Sequence, residues 1–388
     1  MRLVLAGVLA LWVGTFCQAS QLEEAMGAGE AGVPYLEGAL TGLYQVALDS
    51  SEDTGSYEID LIGSFVLRHG ERGKTGDTDF VFWAFRVDNL GGLQPTGQMR
   101  AKSGLLWDTN DINVESSVTQ FGVFGIRQFF YGDRLELGIG KLFPGMIHTE
   151  SEYTANNSET FTSKIISASA VGGYFEAIGL GANLRYWGDK WFLQGGFSDA
   201  KAESEFDFSS LCDGVFAWTA EAGWRPRSAD GSTAVSLLVF RMDERPTLTS
   251  QNGWALAATH NFGETGRYGV FGRYTQASGG EGIGEENLAS ALPLKRAAFA
   301  GFAWNRPLGR ENDQVGVSAL YGQPTDYQRR QGFGSQYGIE TYWKFNFGSF
   351  FRVMPSMQLL RNKEDDIEMV IGVRAKLSDD FARHFKPH

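Results

Sequence analysis

Cysteine is nearly missing from this chain: two in 388 residues, Cys17 and Cys212. A disulfide-stapled scaffold is excluded. Proline is scarce, ten in all, and no Pro/Ser-rich linker divides the chain, so one continuous architecture is expected in place of two domains in series. Beyond the first twenty residues no apolar run approaches the roughly 18 to 20 residues of a spanning helix. A helical membrane protein is thereby excluded. Net positive charge is lacking too: 34 Lys and Arg stand against 46 Asp and Glu, a formal −12, the wrong sign for gripping phosphate backbones. Nucleic acid is not expected as a partner.

Catalytic signatures are equally thin. The five histidines, His69, His148, His260, His384 and His388, are scattered, and neither a Gly-x-Ser-x-Gly elbow nor a His-Glu-x-x-His helix occurs. Asp108 to Asn113 is rich in oxygen donors but lacks the glycine and terminal bidentate glutamate of a calcium hand, and reads as a polar loop. The glycines from Gly279 to Gly284 have acids beside them and no helix after them, which argues against a phosphate cradle. No catalytic residue, metal site or cofactor is expected, and the protein is not read as an enzyme.

What is abundant is glycine, 50 residues, and aromatic residues: 29 Phe, 13 Tyr and 10 Trp. Disorder is ruled out by that composition. The first nineteen residues read as a secretory signal, with Arg2, an apolar core from Leu3 to Phe16, and small Cys17 and Ala19 before a cleavage site. The expected division is 1–19 signal peptide, 20–37 periplasmic segment, 38–381 barrel and 382–388 C-terminal extension.

Along the rest, apolar and polar residues alternate with period two, broken by clusters of Gly, Asp, Asn and Arg. Tyr57, Ile59, Leu61, Phe65 and Leu67 fall on one side of a strand and Glu58, Asp60, Ser64 and Arg68 on the other. Leu180, Leu184 and Tyr186 separate in the same way from Asn183, Arg185 and Trp187, and Gly188-Asp189-Lys190 makes a hairpin to the next strand. The final strand sets Ile367, Ile371, Val373 and Leu377 against Glu368, Arg374 and Lys376. Two stretches, Phe121 to Phe130 and Ala234 to Met242, alternate poorly. Phe161 to Ala170 fits no strand and is read as a helix or an inward-folded loop.

Some 16 to 18 such segments, each of roughly 9 to 11 residues, match bilayer-crossing strands. Aromatic residues gather at strand ends (Tyr57, Trp187, Trp191, Trp224, Tyr337, Phe347), and short turns alternate with long polar connections. In lipid a sheet must close. The fold expected is therefore all-β, a transmembrane antiparallel barrel of about sixteen strands with one or more inward-folded loops, integral to the outer membrane of a Gram-negative-type bacterium. The competing reading is a secreted β-protein that binds glycans without a pore.

An aqueous lumen would be lined by the polar faces. Candidates on those faces are Arg68, Arg185, Arg273, Arg352 and Arg374, with Glu58, Asp60, Glu221 and Glu340. Arg, Asp, Glu, Asn and Gln can replace water around hydroxyls, and Trp or Tyr can support a sugar ring; Tyr342 and Trp187 are the aromatic candidates. Both charge signs are present, which favours neutral or unselective traffic over an ion filter.

Several short stretches resemble the carbohydrate-selective porins of OprB type. They are Arg127 to Leu135 followed by Gly138, Gly140 and Lys141; Trp187 to Phe197; Ala220 to Pro226; Asp313 to Val317; Glu340-Thr341-Tyr342; Val353 to Gln358; and Gly372-Val373-Arg374. The resemblance implies sugar diffusion through a constricted sixteen-strand channel. It places Glu221, Glu340, Gln358 and Arg374 at matching inward positions. Sugars and other small hydrophilic solutes, and outer-membrane lipid, are the implied partners, with a monomer or a homotrimer as the assembly. A general or cation-preferring porin is the alternative suggested by the net charge. The chain runs past Phe381 to His388, a departure from the terminal aromatic residue common in such barrels.

Overall fold

The computed structural model describes residues 35–70, 75–91, 93–110, 112, 117–142, 153–154, 160–167, 179–201, 213–225, 233–245, 249–263, 266–279, 294–348 and 350–380. The expected signal peptide, most of the 20–37 segment and the stretch after 380 lie outside them.

Sixteen antiparallel strands close into a barrel. They are β1 (Tyr35–Ala47), β2 (Glu52–Arg68), β3 (Thr75–Asn89), β4 (Val118–Phe130), β5 (Leu135–Leu142), β6 (Gly179–Trp187), β7 (Trp191–Asp199) and β8 (Phe216–Trp224). The second half comprises β9 (Thr233–Met242), β10 (Gln251–Phe262), β11 (Tyr268–Gly279), β12 (Leu294–Asn305), β13 (Gln314–Pro324), β14 (Gln336–Phe347), β15 (Phe351–Arg361) and β16 (Ile367–Asp380). Every strand pairs with its sequence neighbours, and β1 pairs with β16 from Glu37↔Asp380 to Ala47↔Val370. Among the described residues every strand has a neighbour on both sides, so the ring of strands is closed.

The two ends of the barrel differ. One end carries the start of β1, the finish of β16 and short turns such as 131–134, 188–190 and 348–350. Tyr131, Gly132 and Asp133 all have positive φ, the tight reversal that the Tyr-Gly-Asp-Arg sequence suggests. The other end carries long connections, among them 90–117, 143–178 and 200–215.

Side chains follow the alternation. On β2, Ile59, Leu61, Phe65 and Leu67 are exposed outward while Glu58, Asp60 and Ser64 are buried inward. On β16, Ile367, Ile371, Val373 and Leu377 face out and Glu368, Arg374 and Lys376 face in. β9 explains why its pattern is faint in the sequence: Val235, Leu237 and Val239 face out, but Leu238, Phe240 and Met242 are buried inside. An apolar inner face needs an apolar cover, and the inward-folded connections supply it.

Candidate functional site: the lumen and its two internal loops

The connection from β3 to β4 folds into the barrel. It carries helix α1 (Thr96–Lys102) and then buries Leu105, Leu106 and Trp107. The described part of the β5–β6 connection does the same, with Tyr153, Phe161 and the short helix α2 (Lys164–Ser167), whose Ile165 and Ile166 are buried. The stretch left open between helix and inward loop is therefore both over its described residues; 168–170 lie outside them.

These side chains form one hydrophobic cluster with Leu238, Phe240, Phe271, Phe299, Leu320 and Leu360 of the wall. Phe161 meets Tyr342 edge-on at 4.7 Å, and Tyr153 stacks on Phe271 at 5.1 Å. Glycines make room for the contact. A Cβ on Gly316 would stand 2.3 Å from the Tyr342 ring, one on Gly269 2.4 Å from Tyr153, and one on Gly322 2.7 Å from Trp107.

Polar contacts set the register of the loops. Glu340 accepts from the Thr162 N–H at 2.6 Å, the Thr162 hydroxyl at 2.8 Å and the Ser163 N–H at 3.1 Å. Gln358 Nε2 donates to the Thr109 carbonyl and to Thr162 Oγ1, both at 2.7 Å. Gln45 accepts from Asn110 at 2.7 Å and from the Thr109 hydroxyl at 2.8 Å. Arg273 donates to the Ile165 carbonyl at 3.0 Å, and Arg374 to the Thr160 carbonyl at 3.4 Å. Toward the short-turn end, Tyr153 donates to Asn261 at 2.7 Å and accepts from Asn305 at 3.0 Å. Gln314 links Asn305 to the Tyr342 hydroxyl. Burial of a large apolar side chain contributes about 1.5–3 kcal/mol, against about 0.5–1.5 kcal/mol net for a neutral hydrogen bond. The apolar layer thus holds the loops in, and the polar contacts fix where they sit.

The two loops also hold each other. The Lys164 N–H donates to the Asp108 carbonyl at 3.1 Å. The Asp108 carboxylate lies 3.4 Å from Arg100 Nε and 3.7 Å from Lys164 Nζ. Asp108, the first residue of the oxygen-rich stretch, is therefore a loop-to-loop joint.

A charged belt follows the wall from β3 to β8. Asp79 faces Arg127 across β3 and β4, and Glu136 faces Arg185 across β5 and β6. Arg185 Nε donates to Gln194 and Gln194 Nε2 to Glu221, each at 2.7 Å. Asp60 accepts from the Trp83 indole at 2.9 Å.

The sequence-derived candidates thus part into groups. Glu340, Gln358, Arg273 and Arg374 grip the loops, and Tyr342 is a seat for Phe161, its ring buried at 2% exposure. Arg185 and Glu221 belong to the belt. Trp187 is half-buried at the short-turn end of β6, with the Arg185 guanidinium 5.7 Å from its ring. Arg352 is buried on β15, directly opposite Lys376. Arg68 is exposed at the short-turn end of β2, where the register slips between Val66 and Arg68; the bulge breaks the parity that would have aimed it inward. Gln45, Asp79, Arg127, Glu136 and Gln194 were not singled out from the sequence. Inward position on a strand was the only available signal for them, and on β4 a register slip at Trp83/Ala84 obscures it.

No family model and no curated protein matches the sequence. Solved structures do. OprB of Pseudomonas putida, at high pH, matches with a TM-score of 0.72 at 14% identity, over 93% of this chain and 96% of that one. A triple mutant of the Rhodopseudomonas blastica porin matches with 0.51 at 11% identity, over 89% of this chain and 100% of that one. At these identities the likeness is one of fold: the sixteen-strand barrel of this chain has the fold of a porin such as OprB.

Proposed function

We propose that this barrel is an outer-membrane porin through which sugars and other small hydrophilic solutes diffuse passively. The observation that carries the reading is the two-sided wall, apolar outside and charged or amide-bearing inside, on a closed ring of sixteen strands. An oily exterior suits lipid, and a wet interior of that strand number suits a channel. On this reading the short-turn end and both strand termini face the periplasm and the long connections face the medium, as is usual for such barrels.

Two things favour sugars as cargo. The belt mixes signs, with Arg127 and Arg185 among Asp79, Glu136 and Glu221, where an ion filter would carry one sign. One neighbour that aligns over 93% of the chain is an OprB. Liposome swelling tests the proposal: the purified protein should admit glucose, and a channel that conducts ions while excluding glucose refutes the sugar assignment.

A cation-preferring channel is the second reading, favoured by the formal net charge of −12. Reversal potentials in planar bilayers separate the two. Strong cation selectivity supports the second; a weak preference supports the first.

A further inference from the structure

The outer wall of the barrel carries arginines at one end. On β9, Leu237, Val239 and Arg241 share the outward side, and the Arg241 side chain is 71% exposed. Directly opposed residues of paired strands point to the same face of a sheet, so the pairing carries that direction around the wall. Arg241 stands opposite outward Trp218 on one side and Asn252 on the other. Outward Trp254 stands opposite Gln276, and Gln276 opposite the exposed Arg296 of β12. On β15, Arg361 stands opposite outward Ile367.

All three arginines lie at the long-connection ends of their strands. Just inside them along the barrel axis the outward side chains are aromatic, with Trp254, Tyr274 and Tyr337, and beyond those purely apolar, with Leu256 and Ile339. Aromatic side chains of that kind mark the level of the lipid headgroups, so the arginines stand beside headgroups and not beside acyl chains. At the short-turn ends of β9 to β15 the outward strand positions hold His260, Phe262, Trp304 and Phe347 and, among the described residues, neither arginine nor lysine. The wall is thus charged at one end only, and positively, in a chain whose formal charge is −12.

The chemistry of the patch selects its occupant. Arg296 makes no ion pair among the described residues. Arg241 lies 3.3 Å from Asp243, an exposed pair that contributes little to stability and exchanges readily for another anion. A guanidinium fork takes two oxygens of a phosphate at once, and basic groups at this depth attract anionic headgroups. Between the two arginines, the Asn252 side-chain carbonyl accepts from the Ser278 hydroxyl at 2.8 Å and that of Gln276 from the Tyr274 hydroxyl at 3.2 Å. Each amide NH2 is left as a donor for hydroxyl oxygens. Three strand spacings, roughly 14 Å, separate β9 from β12, the width of a sugar headgroup with a phosphate at either end.

We propose that the outward face of β9 to β12, at the long-connection end, is a docking surface for a phosphorylated glycolipid of the outer leaflet. Arg241 and Arg296 each hold a phosphate group, and Asn252 and Gln276 donate to the sugar between them. This rests on the reading of the barrel as integral to the outer membrane with its long connections toward the medium, and adds a partner on the wall opposite to the channel.

The test is binding of bisphosphorylated lipid A to the full chain purified in detergent, read by native mass spectrometry as a half-saturating concentration. The wild type is compared with Arg241→Gln/Arg296→Gln and with Arg296→Lys, and dephosphorylated lipid A and inorganic phosphate are the competing probes. The wild type should bind the dephosphorylated lipid about tenfold more weakly than the bisphosphorylated one. The double variant should raise the half-saturating concentration of the bisphosphorylated lipid about tenfold, with single-channel potassium chloride conductance retained because neither arginine faces the lumen. Arg296→Lys keeps the charge and loses the fork, so it should weaken binding by a smaller factor; it carries the test if the double variant fails to fold. Inorganic phosphate at the lipid's concentration should leave the lipid bound, and displacement by it would overturn docking of a lipid in favour of a site for the free ion. Equal binding of the two lipid forms, or binding unchanged in the variants, overturns the proposal and leaves the channel reading intact. A wild type that stays out of lipid vesicles and is recovered in the soluble fraction overturns the membrane reading itself, and the docking surface with it.

Discussion

The Thr162 N–H and the Glu340 carboxylate meet at 2.6 Å although 178 residues of sequence separate them. With the Thr162 hydroxyl and the Ser163 N–H on the same carboxylate, this is where the second internal loop takes its register. Glu340→Gln should turn an amide NH2 toward one of these donors and lose about 1.5–3 kcal/mol per charge-assisted bond. The barrel itself should still form, as heat-modifiable migration on SDS gels would show, with loop protease sensitivity increased.

Phe161 should matter more. It is fully buried against Tyr342 and Phe271, and a Phe→Ala change at such a site costs about 3–5 kcal/mol. Phe161→Ala is expected to free the loop from the wall and to change single-channel conductance more than Glu340→Gln does. Equal effects in planar bilayers would mean that the apolar layer is not what holds the loop.

Gly316 gives the complementary prediction. Its missing side chain is the space into which Tyr342 and Phe161 fit, so Gly316→Ala should overpack the joint at about 1–3 kcal/mol. Gly334, which has nothing within 4 Å of a built Cβ, is the control. Thermal unfolding in detergent should fall for Gly316→Ala and stay unchanged for Gly334→Ala.

Cutting the joint between the loops leaves buried charge behind. Asp108→Ala removes the carboxylate beside Arg100 and Lys164, which are largely buried, and removal of one partner of a buried pair costs about 3–5 kcal/mol. Limited proteolysis should then cut both loops, because only the bond from the Lys164 N–H to the backbone carbonyl at position 108 is left of the joint. Cleavage confined to one loop would show that they are anchored independently.

The outer face is open to a direct test. Leu237 faces outward in the middle of β9, and an arginine at the bilayer midplane costs about 2–4 kcal/mol. Leu237→Arg should lower the yield of folded barrel in membranes. An unchanged yield, with the protein recovered in the soluble fraction, would contradict a lipid-facing wall.

Much of this fold is legible in the sequence wherever a strand has one wet face. β2 and β16 are readable because Glu58, Asp60, Arg374 and Lys376 face a polar interior while their neighbours face outward. β9 is not, because Leu238 and Phe240 face an interior filled by the loops, and both sides of the strand then read as apolar. β4 fails for another reason: the slip at Trp83/Ala84 shifts the phase of the pairing, so Arg127 could not be assigned a side. The lumen candidates were legible as inward positions and no further. Alternation tells which way Glu340 and Gln358 point, but what stands opposite them is set by Thr109 and Thr162, 178 to 249 residues away along the chain, and no local pattern carries that information.

The seam between β1 and β16 imposes an order of events. The last strand to be synthesised is the partner of the first, so a nascent or shortened polypeptide without β16 leaves β1 with half of its hydrogen-bonding groups idle. Ring closure must therefore await the whole set of strands, and a single clipped hairpin at the far end of the molecule would disable a staple that every other strand depends on.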